Sequence, residues 1–111
     1  MGIEIEHNKG IATVKLSGVL NETSYATTNA LAEIAQEPNA RVIIDLSGLH
    51  YLGSFGLSVL VQTVTSSRRN AGRILFLNPT PIVSDLFEVT RLKTFFEIFG
   101  NAAAAEAALM K

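Results

Sequence analysis

Apolar and polar residues alternate with period two over Ile3-Glu-Ile-Glu6 and again over Ile11-Ala-Thr-Val-Lys-Leu16. That is the signature of strands with one buried face. Asn8-Lys9-Gly10 between them carries a hairpin signal. The second strand is predicted to end at Ser17-Gly18, with Val19 to Ser24 as a loop, and Asn21 or Thr23 is placed to cap the helix that follows. In that helix Tyr25, Leu31 and Ile34 are predicted to face inward, and Pro38-Asn39 lies just past its end. Arg41-Val-Ile-Ile-Asp-Leu46 is apolar on both faces and rich in β-branched residues, as expected of a strand covered by helices on both sides. From Phe55 the spacing turns helical, with Leu57, Leu60, Val61 and Val64 on one stripe. Leu52-Gly-Ser-Phe-Gly56 joins the two as a short loop, with Ser54 where a helix N-cap belongs.

This second helix is predicted to stop near Asn70-Ala-Gly72, and Arg68 and Arg69 in its last turn complement the helix dipole. Arg73-Ile-Leu-Phe-Leu77 reads as another buried strand. Asn78-Pro-Thr-Pro81 opens a helix over Ile82 to Thr90 with Val83, Leu86 and Phe87 as its apolar face. Phe95-Phe-Glu-Ile98 reads as a short last strand. Asn101 then caps an alanine-rich helix that Glu106, Leu109 and Met110 make weakly amphipathic. The order ββαβαβαβα predicts an α/β domain over residues 1–111, with a mixed sheet that is parallel after its N-terminal hairpin and is covered by helices.

Composition narrows the function classes. A formal charge of −1 over 111 residues supplies no basic face for phosphate backbones, so direct nucleic-acid binding is not expected. The absence of cysteine removes disulfides and thiolate metal sites, and His7 and His50 are too isolated to suggest a metal pair. No uncharged apolar run is long enough for a membrane span, and Glu4 and Glu6 stand where a signal peptide needs positive charge. A cytoplasmic protein without metal or cofactor is the expectation. Catalysis is not expected either. Gly53-Ser-Phe-Gly56 is close to a nucleophile elbow, but Leu52 holds the first glycine slot and neither histidine follows Ser54.

The stretch Val42-Ile-Ile-Asp-Leu-Ser-Gly-Leu-His-Tyr-Leu-Gly-Ser-Phe-Gly-Leu57 resembles the STAS domains, named for sulfate transporters and anti-sigma factor antagonists. In that family a buried strand, Asp-Leu and a short apolar loop lead into Asp-Ser-Ser/Thr-Gly-Leu. Gly18-Val-Leu-Asn-Glu-Thr23 is similar to the family's loop after the second strand. Asn78 to Phe87, with Val89-Thr-Arg-Leu92, is similar to its later helix. The likeness runs over nearly the whole chain and is strongest toward the small free-standing bacterial antagonists. Gly53 stands in place of the family's Asp, Phe55 in place of its second hydroxyl residue, Asn21 in place of its loop Asp, and Asp85 in place of a basic residue.

The resemblance implies a protein-binding switch. The unphosphorylated antagonist binds an anti-sigma factor, often itself a serine kinase, and phosphorylation of the serine at the helix start ends the complex. The matching residue is Ser54, and the implied partner-binding residues are Asn21, Thr23, Gly53, Ser54, Phe55, Gly56 and Ser58. Two other roles stay open: a scaffold subunit of a signalling assembly, which self-association would favour, and a soluble accessory of a lipid or solute transporter. Single residues also have plainer readings. Ser54 alone reads as a cap worth ~1 kcal/mol, Asn21 and Thr23 as loop and cap residues, and Phe95, Phe96 and Phe99 as packing residues.

Overall fold

The central strand holds the molecule together because its apolar run needs cover on both faces. In the computed structural model, which describes residues 2–110, strand β3 (Arg41–Leu52) lies in the middle of a five-stranded sheet with spatial order β1-β2-β3-β4-β5. The first and last residues of the expected 1–111 domain are outside the described residues. β1 (Gly2–Asn8) pairs antiparallel with β2 (Ile11–Leu20), and β2, β3, β4 (Arg73–Leu77) and β5 (Glu97–Phe99) run parallel. The hairpin closes through Lys9 and Gly10, both at positive φ, the geometry that matches the twist of two adjoining strands.

Three helices cover one face of the sheet: α1 (Tyr25–Gln36), α2 (Ser54–Arg69) and α3 (Pro81–Val89). Beneath them Val14, Leu16, Ile44, Leu46, Leu60, Val64, Val83 and Phe87 form the main core. Phe76, Phe87 and Phe96 meet there with ring centroids 4.6–6.0 Å apart. The other face is covered by α4 (Ala102–Leu109), whose Ala105 and Leu109 pack on Ile11, Ile43, Leu75 and Leu77. Asn101 caps α4 as expected, accepting a bond from the Ala104 amide at 3.1 Å. Arg73 holds the helix's other end. Its guanidinium donates to the Ala108 carbonyl at 2.8 Å and makes a two-bond pair with Glu97 at 2.6 and 2.9 Å. Among the described residues no helix is long and apolar enough to cross a membrane.

Several predicted boundaries move. β2 does not stop at Ser17-Gly18 but continues through Leu20, and β3 does not give way to a loop after Leu46 but continues to Leu52. Asp45-Leu-Ser-Gly48 contains turn-forming residues, yet the strand bulges there instead of ending. Lys15 pairs with Asp45 and Ser17 with Gly48, so β3 carries an extra residue, and a second shift follows between Gly18 and Val19. The Asp45 carboxylate accepts from the Ser47 amide at 2.9 Å and supports the bulge. Phe95 and Phe96 precede β5 instead of opening it, and follow a 3-10 turn over Leu92–Thr94. Tyr25, expected inside, projects into solvent at the start of α1, 72% exposed, while Leu31 and Ile34 are buried as predicted.

Candidate functional site

The two bulges carry β2 and β3 to a common end. Val19 pairs with Tyr51 and Leu20 with Leu52, so the Asn21–Ser24 turn and the Gly53–Ser54 turn leave neighbouring strands side by side. The first turn of α2 sits tightly on this edge. A methyl group on the buried Gly56 would lie 2.5 Å from Leu52 Cδ1 and 2.7 Å from the Leu20 carbonyl oxygen. Gly56 thus sets the approach of helix to sheet. It has no surface for a partner, unlike the other residues expected to bind one.

Ser54 is the first helical residue, not the cap. The N-cap is Gly53, in extended backbone (φ −93°, ψ −173°), and no side chain caps the helix. The first intrahelical bond runs from the Leu57 amide to the Gly53 carbonyl at 2.9 Å, so the amides of Ser54, Phe55 and Gly56 precede the hydrogen-bond ladder. No acidic residue lies in this turn. The positive end of α2 therefore stands uncompensated beside an exposed hydroxyl. Gly53 is not demanded by its backbone angles. The Tyr51 ring lies over it, with carbon and hydroxyl atoms 3.4 Å from where a Cβ would be.

Asn21 and Thr23 do not cap α1. Ser24 occupies the cap position, and α1 too lacks a side-chain cap bond. The Asn21 side-chain oxygen is turned back into its own loop, accepting from the Thr23 amide at 2.9 Å and the Thr23 hydroxyl at 2.6 Å. Ser24 Oγ accepts from the Asn21 amide and donates to the Val19 carbonyl. Their bonds hold the loop together, the plainer of the roles expected of them, and leave the cap of α1 unfilled.

Beside Ser54 runs an open groove of about 490 Å³ between the start of α2 and α3. Leu52, Leu57 and Leu86 form its floor, and Tyr51, Ile82 and Val89 stand on its walls, 54%, 63% and 82% exposed. Asp85 is the one charged residue lining it among the described residues. Thr80 positions this wall, because its hydroxyl donates to the Leu49 carbonyl at 2.9 Å and ties the start of α3 to β3. Phe55 and Ser58 lie on the outer side of α2, both exposed. The alternation and spacing signals could not find the α3 wall, since Ile82 and Val89 read as ordinary positions of an amphipathic helix. Large apolar side chains left in solvent around one polar group mark recognition surfaces.

Fold and edge together define a small mixed-sheet α/β domain with an open apolar groove beside Ser54. The chain belongs to the STAS domain family, whose profile matches residues 2–105. It is 27% identical over 105 residues to the anti-sigma F factor antagonist of Paenibacillus polymyxa, covering 93% of this chain and 90% of that one. It is 28% identical over 109 residues to BtrV of Bordetella bronchiseptica, a protein named as a candidate anti-sigma factor antagonist, covering 97% and 94%. The crystal structure of an anti-sigma factor antagonist from Mycobacterium paratuberculosis superposes with a TM-score of 0.83 at 26% identity, over 99% of this chain and 94% of that one.

Proposed function

We propose that this protein is an anti-sigma factor antagonist, a cytoplasmic regulator without catalytic activity of its own, and that phosphorylation of Ser54 ends its complex with an anti-sigma factor that is also a serine kinase. Residues 1–111 act as one STAS unit in this reading. The observation that carries it is the setting of Ser54: an exposed hydroxyl at the first position of α2, above uncapped amides and at the lip of an apolar groove. The names of the relatives point the same way.

The physics of such a switch is local. A phosphoserine adds roughly −1.5 to −2 charges at neutral pH. The free amides and dipole of α2 accept that charge, so the fold tolerates it. A partner whose apolar surface covers the groove has to desolvate the phosphate beside Asp85. The amides offset only part of the charge, and burying the remainder costs several kcal/mol, each ~1.4 kcal/mol being a factor of ten in affinity. Thr23, Ser54, Phe55 and Ser58 provide the outer contacts, while Asn21, Gly53 and Gly56 shape the two turns.

The test is a pull-down from the native host's lysate with wild-type protein and Ser54→Asp as parallel baits, both shown folded by circular dichroism. Capture of a serine-kinase-like anti-sigma factor by wild type, with at least a ~100-fold loss for Ser54→Asp, is the expected result. Equal recovery of the same proteins by both baits refutes the switch.

A further inference from the structure

Helix α2 has a second unusual face. Ser54 to Ser67 contains no charged residue, fourteen positions in a row. Surface helices normally interleave both signs of charge. On its outward side Phe55, Ser58, Gln62, Ser66 and Arg69 follow one another at intervals of three or four, which places them on a single stripe along the helix. Phe55 is 40% exposed, Ser58, Gln62 and Arg69 are exposed, and Ser66 is half-buried. The stripe borders a shallow hollow between α1 and α2, lined on the α1 side by Thr28, Ala32 and Gln36, again without charge. The stripe and the hollow beside it therefore carry a single charge, that of Arg69.

This stripe is complementary to itself. Turned by a two-fold axis through Gln62, it sets Phe55 against Arg69 of a second copy, Ser58 against Ser66, and Gln62 against its own equivalent. Each pairing is chemically favourable. An arginine over a phenylalanine ring is a cation–π contact, already used once in this fold where Arg68 stacks on Phe95 at 4.5 Å from the ring centroid. Serine hydroxyls pair with each other, and two glutamine amides exchange donor and acceptor. The antiparallel arrangement also sets the uncompensated N-terminus of α2 against the C-terminus of its mate, so the helix dipoles oppose. A parallel arrangement would bring the Arg69 side chains together and leave both phenylalanines without a cation.

We propose that the outer face of α2 is a self-association surface, on which a second copy of this chain packs antiparallel about a two-fold axis at Gln62. The association is transient, since a single helix pair is a smaller contact than the roughly 1,200–2,000 Å² buried in stable interfaces. It covers Phe55 and Ser58, so a protein held at those residues and a second copy exclude one another. It depends neither on the anti-sigma reading nor on phosphorylation.

The chain has no cysteine, which permits a clean test of register. Under mild oxidation Gln62→Cys forms a disulfide-linked dimer, Ser58→Cys and Ser66→Cys alone do not, and the Ser58→Cys/Ser66→Cys double variant does. In parallel, sedimentation equilibrium over micromolar to millimolar concentrations gives a mass rising from monomer toward dimer. Phe55→Lys and Arg69→Glu each weaken the association about tenfold, because each change acts twice across the two-fold axis. The double variant Phe55→Lys/Arg69→Glu restores it through new ion pairs. Urea midpoints establish that every variant is folded. A protein that stays monomeric throughout overturns the proposal. So does a dimer that fails to cross-link at position 62, or one that the double variant does not rescue.

Discussion

Replacing Gly56 with alanine tests the packing that positions Ser54. In an exposed helix interior glycine-to-alanine stabilises by roughly 0.5–1 kcal/mol, because alanine has less backbone freedom to lose. Here the added methyl meets Leu52 Cδ1 at 2.5 Å and the Leu20 carbonyl oxygen at 2.7 Å, with Leu20 Cγ at 3.0 Å. Leu52 can rotate, but the Leu20 carbonyl belongs to a strand paired with β3 up to its last residue and cannot retreat alone. The first turn of α2 therefore has to lift away from the sheet. Overpacking of this kind costs about 1–3 kcal/mol and outweighs the propensity gain. For a domain of this size the melting temperature falls by roughly 4 °C per kcal/mol. Urea unfolding followed by far-UV circular dichroism measures the loss directly, with the m-value expected to stay constant. Capture of the partner should fall as well, since the lifted turn carries Ser54 and Phe55 with it. A Gly56→Ala variant as stable as the wild type, or more so, refutes the account of Gly56 as the spacer between α2 and β2.

The neighbouring Gly53 behaves oppositely. Its backbone suits any residue, and a Cβ there makes only ordinary contact with Tyr51, so Gly53→Asp should cap α2, complement its dipole and raise stability by roughly 0.3–1 kcal/mol in urea titrations. Ser54→Ala should leave stability within ~0.5 kcal/mol of wild type, because the serine is not the cap; a loss of 1 kcal/mol or more in the same titration would return it to a capping role. The hydrogen-bonded Arg73 guanidinium holds the Glu97 carboxyl below its usual range, against the opposing effect of burial. A depressed carboxylate stabilises above its unfolded pKa of about 4.3, and that contribution fades as pH falls through the lower folded value. Both side chains are more than a third exposed, so the pair is worth about 0.2–1 kcal/mol, and Glu97→Gln should flatten the acid side of the stability–pH curve by that amount. Asn101→Ala removes the α4 cap and should cost ~1 kcal/mol, detected as faster amide exchange in Ala104 and Ala105.

Hydrophobic period was enough to read the element order and the sheet type, because each strand and helix uses its own spacing and the hairpin turn is local. The Asn101 cap and the buried Leu60, Val64, Val83 and Phe87 were legible for the same reason. What escaped was set by contacts distant in sequence. Asp45-Leu-Ser-Gly48 has the composition of a turn, and only pairing with β2 turns it into a bulge. Arg68 stands in the last turn of α2 as its charge predicts, but the bond its guanidinium donates to the Phe95 carbonyl at 2.8 Å reaches a residue 27 positions on. Tyr25 sits at a position whose periodicity suits burial, but it is the first residue of α1 and projects into solvent. Ser54 was found by motif, whereas the groove beside it was not, because Ile82 and Val89 come from another helix and meet it only in space.

The sheet order follows the chain order from β1 to β5 without a skipped strand. Each strand therefore finds its neighbour already made when it leaves the ribosome, and no segment has to wait for a distant one. Such a topology lets pairing follow synthesis, although each parallel pair still has to close across a helical crossover, which slows it relative to the local hairpin. The turns that carry Asn21 and Ser54 are complete once β3 and α2 have emerged, before α3 and its groove wall exist. Ile11, Ile43, Leu75 and Leu77 stay uncovered until α4, which follows all five strands in the chain, arrives to seal them. The newborn chain is most exposed to aggregation in that interval, and the closing of α4, with Arg73 already in place to hold the end of the helix, brings it to a close.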